Sequence, residues 1–107
     1  MAQLLDSRAR DGTRFFGELP QTQLWHAMRD HVAGLPGAQV TAFLCEGVTE
    51  AWIDFRYAGC DISINDQLGH YLFFVDDPDA PDGALQEVLD HFEKLLGKTQ
   101  RSAGRRG

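Results

Sequence analysis

The chain has 107 residues, of which 43% are hydrophobic and 24% charged, and its formal net charge is −6. That length suits one domain, and that apolar content supplies a core, which excludes an intrinsically disordered chain. The acid excess is concentrated: residues 15–97 hold fourteen acids against Arg29, Arg56 and Lys94, while Lys98, Arg101, Arg105 and Arg106 stand in a terminal stretch without any acid.

An acidic body argues against nucleic acid as a partner, because binding there depends on cations that replace phosphate counterions. No apolar run approaches the roughly 20 residues of a membrane span, and no signal peptide pattern opens the chain. The two cysteines, Cys45 and Cys60, form no C-x-x-C pair. These features predict a cytoplasmic protein with no membrane association and with reduced thiols, Cys60 on the inner sheet face and Cys45 on the outer, where they cannot bridge.

Taken in order, residues 1–17 show no sustained period and read as an N-terminal arm carrying the apolar pair Phe15-Phe16. A first helix is expected at 20–33, with Pro20 in the first turn and Leu24, Met28 and Val32 as a narrow stripe flanked by Trp25. Gly34, Pro36 and Gly37 end it. A strand at 39–45 comes next, alternating Val40, Ala42 and Leu44 against Thr41, Phe43 and Cys45. Gly47-Val48 would turn it into a strand at 49–57, setting Ala42 opposite Ile53 on the inner face and Phe43 opposite Trp52 on the outer.

The next hairpin can be read by register. With Ala58-Gly59 as a two-residue turn, Tyr57 meets Cys60, Phe55 meets Ile62, and Ile53 meets Ile64, all apolar. The alternate pairs are Arg56 with Asp61, Asp54 with Ser63, and Trp52 with Asn65. A slip of one residue would scramble both sets, because strand side chains alternate with period two. A last strand at 70–76, entered through Leu68-Gly69, sets Phe73 opposite Ile64 and Val75 opposite Ile62; a turn at Gln67-Leu68 would change these pairs but keep the same faces. After an acidic loop, a helix at 80–96 places Leu85, Val88, Leu89, Phe92, Leu95 and Leu96 on one stripe, with Asp79 as N-cap, Asp82 in the first turn and Gly97 closing the end. Residues 98–107 read as a basic, disordered tail.

The expected architecture is therefore α+β: a four-stranded antiparallel meander with N- and C-terminal helices packed on one face, in the order α-β-β-β-β-α and two layers. Residues 18–97 would form the single domain. The other sheet face is expected to carry Phe43, Trp52, Leu72 and Phe74 among polar residues, which is more aromatic surface than a solvated sheet needs; either a partner or the folded-back Phe15-Phe16 arm would cover it.

No nucleotide, hydrolase or zinc motif is present, and none that implies a cofactor. Asp76, Asp77, Asp79 and Asp82 could offer carboxylate oxygens to Ca²⁺ or Mg²⁺, but they depart from the EF-hand spacing, and capping explains them as well. His26 with Asp30, and Glu87 with His91, share helix faces, yet two ligands fall short of a zinc site. Ser63 beside Asp54 lacks a histidine base. Cys60 has no neighbouring cation to activate its thiol and reads as a small core residue.

The element order, the segment AWIDFRYAGCDISIN (residues 51–65) and the outward Trp52 resemble frataxin-like iron-binding domains over about a third of the chain. That resemblance would imply an acidic metal-binding function. The family's acids lie on its first helix and the neighbouring strand; here that helix has only Asp30, the acids sit in the 76–82 loop, and the extra strands expected before the last helix are missing, so no binding residue carries over. The leading expectation is a non-enzymatic interaction module; the alternatives are an acidic metal-binding protein that uses the 76–82 loop and a small enzyme with no recognisable motif. The module's outer sheet face would meet a protein partner or a second copy, with Trp52 as anchor, Phe43, Leu72 and Phe74 around it, and Arg56 and Asp61 as polar rim.

Overall fold

The computed structural model of the chain describes residues 3–46 and 50–97. The elements run β1 (Ser7–Arg8), β2 (Arg14–Pro20), α1 (Trp25–Val32), β3 (Gln39–Glu46), β4 (Glu50–Tyr57), β5 (Cys60–Gln67), β6 (His70–Val75) and α2 (Asp82–Leu96). The fold is α+β with a six-stranded antiparallel sheet in the order β1-β2-β6-β5-β4-β3. The basic tail expected at 98–107 lies outside the described residues, as does the Gly47-Val48 turn.

The four expected strands are present as the β3–β6 meander, and the central registers match the reading from sequence. Phe55 faces Ile62, Ile53 faces Ile64, and the polar pairs are Arg56 with Asp61 and Asp54 with Ser63. Val75 faces Ile62 and Phe73 faces Ile64. Both tight turns use positive φ at their two central residues: Ala58 (53°) with Gly59 (78°), and Leu68 (52°) with Gly69 (83°). That conformation matches strand twist, but a residue with a Cβ is strained there by about 1–2 kcal/mol.

The N-terminal region departs from expectation. Residues 14–17, placed in an arm, belong to β2, which pairs antiparallel with β6 and makes β6 an interior strand. Pro20 is the last residue of β2, opposite His70, not the start of a helix. A missing N–H is tolerated equally at a helix start and at a strand's unpaired side, so proline alone did not distinguish them. The helix consequently begins at Trp25, and its buried stripe is Trp25, Met28 and Val32, with Leu24 80% exposed. Tyr71, fully buried, fixes the path between β2 and α1: its hydroxyl donates to the Gln23 carbonyl at 2.6 Å and its ring meets Trp25 edge-on.

Two β-bulges shape the outer strands. In β2 the register shifts between Phe15 and Gly17, so Phe16 and Gly17 share the inner face near Phe73. A Cβ on Gly17 would lie 2.5 Å from a Leu89 methyl carbon, so glycine is what lets α2 settle on the bulge. In β3 the shift falls between Val40 and Ala42 and reverses the parity of the strand beyond it. Phe43 now faces Ile53 and Leu44 faces Trp52.

Both helices lie on the inner face, α1 over β3 and β4, and α2 over β2. The core joins Phe16, Ile53, Phe55, Ile62, Ile64 and Phe73 from the sheet to Met28, Leu85, Leu89 and Phe92 from the helices. Phe92, fully buried, has ring contacts with Phe55 at 6.1 Å and Phe73 at 5.4 Å. Helix α2 starts at Asp82 with Pro81 at the N-cap position; Asp79, expected to cap it, lies earlier in the loop. Asp82 instead accepts from the Arg14 guanidinium at 3.0 Å. Arg14 is 4% exposed and also donates twice to the Leu5 carbonyl, tying the N-terminal segment, β2 and α2 together.

The helices meet through a reciprocal histidine pair. His31 Nε2 bonds the His91 carbonyl at 2.7 Å, and His91 Nε2 bonds the His31 carbonyl at 2.6 Å. The rings stack with centroids 3.9 Å apart. Since a carbonyl only accepts, both rings carry the proton on Nε2. Burial, with the neighbouring His31 and Lys94, pushes His91 below the usual histidine pKa.

The cysteines are free, Cys45 exposed and Cys60 buried. The reason differs from the expected one of opposite faces. Cys45 pairs with Ala51 and Cys60 with Tyr57, so they sit at opposite ends of β4. Six residues of strand separate them by roughly 20 Å, at about 3.3 Å per residue, far beyond disulfide reach.

This packing has three measurable outcomes. Phe92→Ala should cost about 3–5 kcal/mol in urea unfolding, as expected for emptying a large ring site. Leu68, 90% exposed and at positive φ, should be better replaced by asparagine, with Leu68→Asn raising stability by about 1 kcal/mol. The third concerns pH. His91 is depressed in the folded state, so stability is full above the ordinary histidine pKa of about 6.5. Below it the unfolded chain takes up the proton first, and stability falls with pH until the folded-state pKa is passed. His91→Gln keeps an N–H donor without a titration, so its urea midpoint should change less than that of the original chain between pH 7.5 and 5.5.

Candidate functional site

The two sheet faces have opposite fates. Inward residues are covered by the helices, whereas the outward residues of β2, β6, β5, β4 and β3 have no element packed over them among the described residues. Among the described N-terminal residues, β1 and β2 extend the sheet edge and do not cross this outer face, and Phe15 joins the surface.

Of the six residues expected to form this surface, five lie on it. Phe74 is half-buried, faces Ser63 on one side and Phe15 on the other, and its ring centroid is 5.4 Å from that of Phe15. Leu72, also half-buried, lies between Glu18 and Asn65. Trp52 is half-buried beside Leu44. Arg56 and Asp61 form an exposed ion pair at 3.2 Å.

Phe43 is the exception. The β3 bulge turns it to the helix side, where it meets His26 edge-on at 5.5 Å and lies under the Arg29 guanidinium at 5.1 Å. Its outer position is taken by Leu44. Phe15 and Leu44 are thus the surface residues that parity counting missed. Gly17, inside a run of strand-forming residues, was the available sign of a bulge in β2; nothing comparable marks Thr41.

Two shallow concavities flank the Phe15–Phe74 pair. One, of ≈ 270 Å³, is bordered by Asp54, Asp61, Asp76, Ser63, Thr41 and Phe74. Its carboxylates are partly engaged: Ser63 Oγ donates to Asp54 at 2.8 Å, and Asp61 pairs with Arg56. The other, of ≈ 290 Å³, is lined by Phe15, Leu72, Leu68, Glu18, His70 and Gln67. His70 Nε2 approaches Glu18 at 3.9 Å. The surface therefore offers half-exposed apolar side chains between an acidic hollow and a more apolar one.

The carboxylates proposed for a metal are not brought together. Asp82 is bound to Arg14, Asp79 lies 3.6 Å from Arg8, and Asp77 accepts the Asp79 backbone N–H. Among the described residues, no three histidine, cysteine or acidic side chains are placed to hold an ion. The helix-face pairs are likewise engaged: Asp30 with Arg29, Glu87 with the Tyr57 hydroxyl, and His91 with His31. Burial pushes the Cys60 thiol pKa up, which favours the unreactive thiol.

No helix among the described residues is long and apolar enough to cross a membrane. Comparison with known proteins adds no family to this geometry: no family model, curated protein or solved structure matches the chain.

Proposed function

We propose that the chain is a non-enzymatic interaction module whose outer sheet face docks a protein surface bearing both apolar and cationic side chains. The observation that carries this reading is the asymmetry of the sheet. One face is sealed by two helices, while the other leaves Phe15, Trp52, Leu72 and Phe74 half-buried with nothing packed over them among the described residues. Aromatic side chains at the centre of a patch with a charged rim are the usual anchors of protein association.

Charge selects the partner. The face carries Glu18, Asp54, Asp61 and Asp76 against Arg56. A second copy meeting it face to face would bring the same acid excess, and like charges across an interface are costly. A cationic partner with apolar side chains gains on both counts. The same excess disfavours a phosphate backbone.

The test is a titration of isotope-labelled protein with a short lysine- and leucine-rich peptide, followed by amide chemical shifts. Shifts should gather on β6, β5, β4 around Trp52 and the Phe15 end of β2, and weaken with added salt. Trp52→Ala should reduce affinity by about tenfold, the effect of losing 1.4 kcal/mol at an aromatic anchor, while leaving the melting temperature nearly unchanged. Shifts confined to the helices, or no saturable binding, would count against the face.

A further inference from the structure

The two edges of the sheet are built differently. One ends in β1, only two residues long, and its Arg8 pairs with Asp6. The strand behind it, β2, finishes in Pro20. Short strands, charges and prolines are the usual devices that stop an edge from joining another sheet. The other edge is β3, eight residues long, with β4 on one side and, among the described residues, no strand on the other. Its one interruption is the bulge between Val40 and Ala42; beyond it, from Ala42 to Cys45, the strand is regular with neither charge nor proline, and Glu46 ends it. Thr41, Ala42 and Cys45 are exposed, and Val40, Phe43 and Leu44 are half-buried.

We propose that β3 is a self-association edge, pairing antiparallel with β3 of a second copy so that two sheets become one across a twofold axis. The unpaired backbone groups of an extended strand are complementary to another extended strand. An antiparallel match of a strand with itself is isologous, so one surface serves both copies. Charge does not oppose a second copy here, in contrast to the outer face. Although each chain has a net charge of −6, a match centred on Leu44 keeps outward residues opposite outward ones and pairs Glu46 with Ala42, so no carboxylate stands opposite another. Leu44, the outermost apolar residue of the open face, would gain apolar neighbours across the axis. The interaction is separate from the docking of a cationic partner near Phe74 and does not require it.

The experiment is light scattering on the full chain over a range of concentrations, with two edge variants and one face variant. Ala42→Lys points to the outer face and Cys45→Lys to the inner, so what they share is a charge on the edge strand. The wild type should exceed the 12.0 kDa of one chain and dissociate on dilution. Both edge variants should remain near that mass at concentrations where the wild type is paired. Leu72→Lys, on the outer face away from the edge, should leave association intact while abolishing peptide docking. A wild type that stays monomeric throughout would overturn the proposal, including the case in which β3 binds only another protein's strand. So would dissociation caused by Leu72→Lys but not by the edge variants. If the edge variants fail to fold, amide exchange of the wild type decides. Backbone amides of β3 pointing away from β4 should be protected at high concentration and exchange freely on dilution; exchange independent of concentration would refute the pairing.

Discussion

The pairing of β2 with β6 is the contact on which the rest of this structure depends. The other long strands are joined by hairpins and find their neighbours locally. β2 reaches β6 across some fifty intervening residues, so this pairing bears the loop-closure cost that hairpins avoid. Its consequences spread outward. It makes β6 interior, obliges the chain to cross the inner face to the far edge, and places α1 on that crossing. It presents Gly17 to Leu89 and Arg14 to Asp82, which together seat α2. It also carries Phe15 onto the open face beside Phe74.

The bulges in β2 and β3 act in opposite directions. In β2 the extra residue puts Phe16 and Gly17 together on the inner side and lets a helix approach closely. In β3 the shift turns Phe43 inward, under Arg29 of α1, and Leu44 outward beside Trp52. The sheet therefore keeps a sealed face and an open one despite two breaks in alternation, because each break is matched by what packs there. The open face accordingly centres on Phe15 and Phe74, with Leu72, Trp52 and Leu44 along it.

The carboxylates have several distinct structural tasks. Asp82 holds a buried arginine, Asp54 and Asp61 define a hairpin register, Asp77 closes a turn, and Glu87 receives the Tyr57 hydroxyl. A chain this acidic invites a metal reading, but the acids are spread over tasks that keep them apart. What remains collective is their field, and it is felt most where Asp54, Asp61 and Asp76 border one hollow. On the proposed reading, that field is what a cationic partner would meet at the open face, whereas residues 39–45 of the β3 edge carry no charge.

The range of each interaction decided how much of it was legible in the sequence. The β4–β5–β6 registers were readable because each pair is set by a short turn and by alternation that one slip would destroy. The α2 stripe was readable because six apolar residues repeat over four turns, and five of them are buried. These elements carried Trp52, Arg56, Asp61, Leu72 and Phe74 to the correct face. The beginning of the chain was not readable in the same way. Pro20 satisfies the local rules of a helix start and of an edge strand equally, and only pairing with His70 decides. Phe15-Phe16-Gly17 looks aperiodic because the bulge that accommodates Leu89 breaks its alternation. Phe43 was assigned to the wrong face because nothing between Val40 and Ala42 announces the extra residue. Local periodicity is written in the sequence, whereas bulges and the β2–β6 partnership exist only once distant elements press on the same backbone.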